Sequence, residues 1–246
     1  MIRVLAISYL NSIPFIYGLK QSKLFKDIDL SVTYPSKIAE DVIDNKVDIA
    51  LVPVVLLKQL SNYNIITDFC IGAESSVDSV CLYSHVPINQ VTTISLDYQS
   101  RTSVELLKLL LRDYWKVNPK LNLSDAKDNF QINDSNAALV IGDRSFALNG
   151  KYPYVYDLAK EWNIMTGLPF VFACWICIKN LNKKFLLEFN DALRLGISNI
   201  SQALQSESYQ NSHINHEEYL SNKISYNLDA EKKKGMELFM KKVSAL

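Results

Sequence analysis

The first third of the chain alternates short apolar strands with amphipathic helices, and this order constrains the fold more than any other feature of the sequence. In the second of these helices, Ile38 and Val42 fall on one apolar face while charged residues occupy the other. A strand-helix-strand-helix-strand order predicts a mainly parallel sheet with helices packed on its faces. The predicted elements are a strand at 2–7, a helix at about 14–20, a strand at about 29–34, a helix at about 36–45 and a strand at 49–53.

Later segments predict a second α/β unit. Thr102 and Glu105 match a T-x-x-E capping box at the start of a leucine-rich helix. The apolar segment 170–178 is expected to return the chain to the first unit. We therefore predict an α/β fold of two lobes joined by two crossings. Further elements are expected as strands at 80–84, 91–96 and 137–143 and helices at about 183–204 and 229–243, with lobe 1 formed by 1–87 plus 175–246 and lobe 2 by 88–174.

The charge balance excludes a global field that would attract nucleic acid or an anionic membrane. The 246 residues include 26 basic and 26 acidic side chains, so the formal net charge is zero. No apolar run approaches the roughly 20 residues of a membrane span, and the N-terminus lacks a signal-peptide pattern. A cytoplasmic location without membrane or nucleic-acid partners is the expectation, and any anionic ligand must be held by local groups.

Cysteine and histidine usage does not favour metal or redox chemistry. Cys174 and Cys177 spell C-x-x-C, but they lie in a predicted strand, where residues three apart point to opposite faces. All four cysteines are expected to be buried, reduced thiols. His213, His216 and Glu217 do not match H-E-x-x-H and lack a third ligand. No metal site is predicted.

A polar turn follows the first strand, at the position where a nucleotide-binding protein would have glycines. Ser8, Asn11 and Ser12 offer hydroxyl and amide groups instead of a bare backbone that could approach a phosphate closely. Strand ends of α/β proteins are the usual place for a ligand. The turn is therefore either a ligand site or an ordinary cap for the helix that begins near Pro14.

The start of the leucine-rich helix is the segment best suited to hold an acid. A helix N-terminus presents unpaired N–H groups and the positive end of the helix dipole, and an arginine adds a planar fork of donors. The alternative is a simple cap beside a solvated arginine. The residues concerned are Ser100, Arg101, Thr102 and Ser103.

Three further polar residues lie at predicted helix starts, crossings or strand ends. Ser36 begins the second helix, Ser79 precedes the expected crossing, and Asp143 follows a buried strand of the other lobe. Ligands of two-lobed α/β proteins bind between such points. Taken singly, each residue also fits a turn or a cap.

Several segments, in order, resemble the chorismate dehydratases of the futalosine route to menaquinone. Together they span most of residues 2–178, and the C-terminal helices add no motif. The segments are SYLNSIP at 8–14, PSKIAEDVIDNKVDIALVP at 35–53, SVDSVCLYS at 76–84, LDYQSRTSVELLKLLL at 96–111, IGDRSFAL at 141–148 and YDLAKEWNIMTGLPFVFACW at 156–175.

The resemblance implies a two-lobed fold of the type II periplasmic-binding-protein kind and a hydro-lyase that needs no cofactor. It implies that Asn11, Ser79 and Asp143 take part in catalysis, with either Asp143 or a carboxylate of the substrate as the base. The other polar residues would bind chorismate, the expected small-molecule partner. The implied binding residues are Ser8, Ser12, Ser36, Ser100, Arg101, Thr102 and Ser103.

Two positions depart from the pattern that the resemblance predicts. Val54 stands where a small polar residue is expected, and Ser75 and Ser76 replace a Gly-Pro-like turn. Both departures leave the family resemblance unchanged and concern only the details of the cleft wall.

Two other functions remain. One is a solute-binding protein of the same fold, whose export signal the N-terminus lacks. The other is the related 1,4-dihydroxy-6-naphthoate synthase, for which a different first turn is expected. The sequence leaves monomer and homodimer equally open.

Overall fold

The computed structural model describes residues 1–123, 132, 136–206 and 214–245, which form strands, helices and short turns. The strands are β1 (Ile2–Ile7), β2 (Ile28–Thr33), β3 (Ile49–Pro53), β4 (Asn64–Ala73), β5 (Val80–Ser84), β6 (Thr93–Leu96), β7 (Lys120–Leu123), β8 (Asn136–Ile141), β9 (Tyr154–Asp157), β10 (Phe170–Cys177) and β11 (Ser225–Asn227). The helices are α1 (Ile13–Gln21), α2 (Pro35–Ile43), α3 (Arg101–Leu110), α4 (Leu158–Thr166), α5 (Lys183–Ile197), α6 (Ile200–Ser206), α7 (His216–Glu218) and α8 (Ala230–Val243).

The strands form two mixed sheets. The first has the order β11-β4-β10-β3-β1-β2 and the second the order β7-β6-β8-β5-β9. Parallel pairing in the first sheet covers only β2, β1 and β3, because β10 runs antiparallel to both β3 and β4. The expectation of a mainly parallel sheet is therefore wrong beyond the first three strands. The reason is that β10 follows a strand of the second sheet, so its direction is not set by a crossover between two strands of the first sheet.

The chain passes between the sheets after β4 and again before β10. The lobe boundaries predicted from the sequence, at residues 87 and 174, differ from the observed strand pairing in two places. Strand β5 pairs with β8 and β9 in the second sheet, and β10 lies entirely in the first. The division into lobes stays a prediction, and the strand pairing favours crossings at 74–79 and 158–169. An apolar strand beside a crossing carries no sequence signal of which sheet it joins.

The Asp157 carboxylate joins the two crossings. It accepts the backbone N–H groups of Val77 (2.8 Å) and Asp78 (2.6 Å) from the first crossing. It also caps α4 by accepting those of Ala159 (2.9 Å) and Lys160 (3.1 Å). Burial raises the pKa of Asp157, while these hydrogen bonds favour the charged form. Both passages between the lobes are thus fastened at one side chain.

Two predicted helices differ in detail from the structure. The capping box at Thr102 is wrong, because α3 begins two residues earlier than that box predicts and its N-cap is Ser100, whose hydroxyl accepts Ser103 N–H at 3.3 Å. The long helix predicted at 183–204 is two helices, α5 and α6. The Asn199 side chain donates to the Leu195 carbonyl at 2.7 Å, an example of a local bond that competes with the helical ladder.

Helices α1 and α5 approach each other closely through two glycines. A Cβ on Gly196 would overlap the carbonyl oxygen of Pro14, and one on Gly18 would overlap that of Ala192. Only glycine permits this backbone-to-backbone contact. Because Pro14 lies in the first turn of α1, the contact also fixes the polar turn that precedes the helix.

The predicted burial of the four cysteines is confirmed, and none of them forms a disulfide. Burial raises the pKa of the Cys174 thiol to about 12. Within the described residues, no three His, Cys, Asp or Glu side chains gather as a metal site, and His213 lies outside them. None of the helices described here has the length and apolarity that a membrane crossing requires.

Candidate active site

A cavity lies where the turn after β1, the start of β5 and the N-terminus of α3 meet. Including its opening to solvent it measures about 450 Å³. Its apolar wall includes Ile7, Ile71 and Phe172, and no described lining residue carries a formal charge. The polar lining residues are Tyr9, Asn11, Ser79, Ser100 and Ser103.

Of the three polar residues predicted in the first turn, one lines this cavity. Leu10–Ser12 form a 3₁₀ turn that directs successive side chains to different sides. Asn11 is 8% exposed and faces the cavity. Ser12 is fully buried and donates its hydroxyl to Asn11 Oδ1 at 3.3 Å, whereas Ser8 is exposed and does not line the cavity. Ser12 therefore supports Asn11 from behind.

Asp143 holds the same turn from the second lobe. Both of its carboxylate oxygens accept the Leu10 N–H at 3.2 Å, and Asp143 is not among the cavity-lining residues. Its neighbour Gly142 does line the cavity, with φ at 70°. A Cβ there would lie 3.0 Å from the Tyr9 ring, so the aromatic ring rests directly on the glycine. The two lobes are in close contact at this point.

The N-terminus of α3 divides its polar residues between two surfaces. Ser100 and Ser103 line the cavity, with their hydroxyl oxygens 3.0 Å apart. Thr102 is buried and accepts the Val55 N–H at 3.4 Å. Arg101 lies in a neighbouring outer groove together with Lys58 and Lys108, and Ser100 borders both spaces. The structure thus brings two of the four predicted residues to the cavity.

The remaining predicted residues are Ser36, in the first turn of α2, and Ser79, in the crossing that leads into β5. Pro35, at the start of α2, lines the cavity, but Ser36 does not, and its N–H donates to Gln99 O at 3.1 Å. Ser79 is 1% exposed and lines the cavity. Its hydroxyl oxygen lies 2.7 Å from that of Tyr219. Ser79 is therefore both buried and directed into the same space as Asn11.

Tyrosine and glutamine side chains link the lobes beside the cavity. The Tyr9 hydroxyl donates to Gln99 Oε1 at 2.7 Å, and Gln99 Nε2 donates to Tyr98 Oη at 2.7 Å. The Tyr34 ring packs edge-on against Tyr98, with centroids 6.3 Å apart. Burial raises the pKa of Tyr9, so its hydroxyl stays neutral and available as a donor. This network keeps the two lobes closed around the cavity.

An ion pair between the buried Asp97 and the partly exposed Arg144 shapes the loop that leads into α3. Asp97 accepts the N–H groups of Gln99 (2.9 Å) and Ile141 (3.2 Å). Its carboxylate also accepts from the Arg144 guanidinium at 2.6 Å, and that guanidinium lies over the Tyr98 ring. The pair holds loop 97–100 against β8 and thereby sets the position of Ser100.

Sequence reasoning missed several residues of the site. Tyr9 lies within the motif SYLNSIP, so the sequence offered a signal that it is near the site. Nothing in the sequence indicated its contact with Gly142. Tyr219 belongs to a segment without any recognised motif. The departures at Val54 and at Ser75 and Ser76 do not affect the cavity: Val54 is buried in the core, and the serines line a groove on the outer surface.

Comparisons with known proteins agree on the family. The chain is similar to a chorismate dehydratase of Campylobacter jejuni, with 28% identity over 190 residues covering 74% of this chain and 71% of the relative. A chorismate dehydratase of Thermus thermophilus is likewise 28% identical, over 199 residues and 70% of each chain.

The predicted fold class is confirmed by a solved structure. It is a conserved Candida albicans protein described as having the generic periplasmic-binding-protein fold, with a TM-score of 0.68 and 12% identity, over 100% of this chain and 90% of that one. At this identity the likeness concerns the fold alone. Residues 2–245 match the family described as menaquinone biosynthesis, which is nearly the whole sequence. The chain therefore belongs to the menaquinone biosynthesis family.

Proposed function

We propose that this protein is a chorismate dehydratase, which removes water from chorismate to form 3-[(1-carboxyvinyl)oxy]benzoate. The observation that carries the proposal is the convergence of two buried polar side chains on one cavity: Asn11 from the turn after β1 and Ser79 from the crossing that leads into β5. The relatives named chorismate dehydratase support the choice of substrate.

The reaction sets three tasks for the cavity. The hydrogen at C3 and the hydroxyl at C4 leave, the electron pair of the C3–H bond forms the new C3=C4 bond, and the ring becomes aromatic. The cavity must hold two carboxylates, align the bonds that break and stabilise the departing hydroxyl. Aromatisation supplies the driving force without any change of redox state, and we propose that no cofactor is needed.

Asn11 and Ser79 are the proposed donors to the departing hydroxyl. Both are uncharged, nearly buried and face the cavity. A fixed donor in a site that excludes water stabilises developing charge more strongly than the same group does in water. Hydrogen bonds between Tyr9, Gln99 and Tyr98 join the two lobes beside this space.

The substrate carboxylates are proposed to bind through neutral donors, because no described lining side chain is charged. The Ser100 and Ser103 hydroxyls lie at the N-terminus of α3, where backbone N–H groups and the helix dipole favour an anion. The roles predicted for Arg101, Thr102, Ser36, Ser8 and Ser12 stay predictions. The geometry favours Ser100 and Ser103 over them for direct contact.

The base that removes the C3 proton is proposed to be a carboxylate of the substrate itself. Asp143 is the alternative on the protein. Its two oxygens already bind the Leu10 N–H, and it does not line the cavity. The cytoplasmic location stays a prediction, and the choice between monomer and homodimer stays open.

The test is to incubate the purified, metal-free protein with chorismate and to follow the mixture by liquid chromatography with mass detection. We expect a product lighter by one water, above controls without enzyme and with Asn11→Ala protein. Intact chorismate together with a raised melting temperature would instead identify a solute-binding protein. If chorismate stays intact and the melting temperature of the protein does not change, the proposed substrate is wrong.

A further inference from the structure

Two buried tyrosines from the C-terminal part of the chain lie behind the cavity. Tyr219 begins a π-helical turn after α7, and Tyr226 lies in β11. They are only 4% and 6% exposed. The Tyr226 hydroxyl donates to the backbone oxygen of Asn11 at 3.0 Å, while the Tyr219 hydroxyl lies 2.7 Å from Ser79 Oγ.

Tyr219 contacts both side chains that are proposed to act on the departing hydroxyl. Besides Ser79, the Asn11 side chain acts on the Tyr219 hydroxyl as a hydrogen-bond donor that lowers the pKa of Tyr219. The Tyr219 ring is fixed by an edge-on contact with Phe146, with centroids 4.9 Å apart. One phenol therefore connects Asn11, in the turn after β1, with Ser79, in the crossing that leads into β5.

The direction of the hydrogen bond between Tyr219 and Ser79 decides what Ser79 can do. A serine hydroxyl has one proton, so a Ser79 that donates to Tyr219 cannot also donate to a ligand. A phenol is more acidic than an aliphatic hydroxyl and is therefore the better donor of the two. Burial and the nearby charge of Asp143 raise the pKa of Tyr219, so it keeps its proton.

We propose that Tyr219 is a positioning residue: it donates its hydroxyl proton to Ser79 Oγ and thereby leaves the Ser79 proton directed into the cavity, toward the departing hydroxyl of the substrate. This inference rests on the proposed dehydration of chorismate.

The first variant is Tyr219→Phe, which keeps the ring and its contact with Phe146. We expect kcat to fall about 10-fold, the effect of one lost neutral hydrogen bond, while KM changes less than about 3-fold. The matched control is Tyr83→Phe. Tyr83 is also a buried tyrosine bonded to a serine, but that serine, Ser145, does not line the cavity, whereas Ser79 does. The kcat of Tyr83→Phe should stay within about 2-fold of wild type.

A double-mutant cycle separates positioning from a general loss of packing. If Tyr219 acts through Ser79, Tyr219→Phe causes less than about a 2-fold further loss of kcat in a Ser79→Ala background. An equal loss in both backgrounds would overturn the proposal, and so would a Tyr219→Phe enzyme with wild-type kcat. A wild-type protein that does not dehydrate chorismate would overturn the proposed function and this inference together, whereas the other two results would overturn the inference alone.

A second substitution covers the case in which Tyr219→Phe does not fold, as judged by circular dichroism. Placing 3-fluorotyrosine at position 219 keeps the hydroxyl and nearly the same ring volume. We expect kcat within about 3-fold of wild type, since the donor is retained. A loss as large as that of Ser79→Ala, in a folded protein, would show that the hydroxyl is not what matters at this position.

Discussion

The turn after β1 and the N-terminus of α3 face each other across the cavity, and each divides its polar residues differently. In the turn, Asn11 lines the cavity while Ser8 and Ser12 do not. At the start of α3, Ser100 and Ser103 line it, whereas Arg101 faces an outer groove. Both segments look like uniform clusters of polar groups in the sequence.

The difference follows from the local period of each backbone. Residues three or four apart on a helix share a face. Ser103 therefore lies on the same side as Ser100, and Arg101 lies on the same side as Glu105 and Lys108. A single 3₁₀ turn spreads three successive side chains around its axis, so it can present only one of them to the cavity. The outcome is a cavity with neutral polar groups and a neighbouring groove that carries the charge.

The largest effect is expected for Asn11→Ala. Loss of a fixed donor to developing charge typically lowers kcat by about 10² to 10³. The matched variant Ser12→Ala removes only the 3.3 Å bond to Asn11 Oδ1 and should lower kcat by less than about 5-fold. Steady-state kinetics with chorismate checks both. If Asn11→Ala stays within a few-fold of wild type, the turn is a helix cap and not part of the mechanism.

A smaller effect, about 10-fold in kcat/KM, is expected for Ser103→Ala. The loss should come mainly through a higher KM, because Ser103 is proposed to hold a substrate carboxylate. Alanine is the best helix former, so α3 should stay intact and the melting temperature should be unchanged within a few degrees. An unaltered KM would remove the α3 terminus from substrate binding.

Asp143→Asn is expected to lower kcat by only about 3- to 5-fold. The amide retains an oxygen that can accept the Leu10 N–H, so the support of the turn weakens without being lost. The check is kcat of the Asp143→Asn variant, after circular dichroism has shown that the variant is folded. A loss beyond about 10³-fold would make Asp143 the base and transfer that role from the substrate to the second lobe.

The smallest effect is expected for Arg101→Gln. Because the guanidinium lies in the outer groove, we expect kcat/KM within about 2-fold of wild type at physiological salt, where exposed charges are screened. Ser103→Ala, measured in parallel, provides the contrast. A KM raised 10-fold or more in Arg101→Gln would restore the sequence-based prediction that this arginine binds a carboxylate.

Hydrophobic periodicity was sufficient to predict the strands and helices whose ends are set by neighbouring residues in the sequence. Strands β1, β3 and β5 and helix α8 match the predicted ranges to within a residue, because apolar runs and a clear helix face mark them. The N-cap of α3 was misplaced by two residues because Ser100 and Thr102 are both good caps, and only backbone geometry selects between them.

The parts of the site that depend on distant contacts could not be read from the sequence. Ser79 and Tyr219 are 140 positions apart, and no spacing rule connects them. The partition of Arg101 and Ser103 between two surfaces depends on how α3 is rotated against its neighbours. The family resemblance identified Asn11 and Ser79 as candidates, but not the phenol that joins them.

The place of β10 in the first sheet has a consequence for the order in which the protein folds. This strand lies between β3 and β4, yet it is synthesised only after all the strands of the second sheet. On the ribosome, β1 to β4 therefore emerge as two separated pieces with unpaired inner edges, while the second sheet can assemble from consecutive sequence. Such non-local pairing is slow and exposes strand edges to wrong partners. The first lobe, which begins the chain, is completed last.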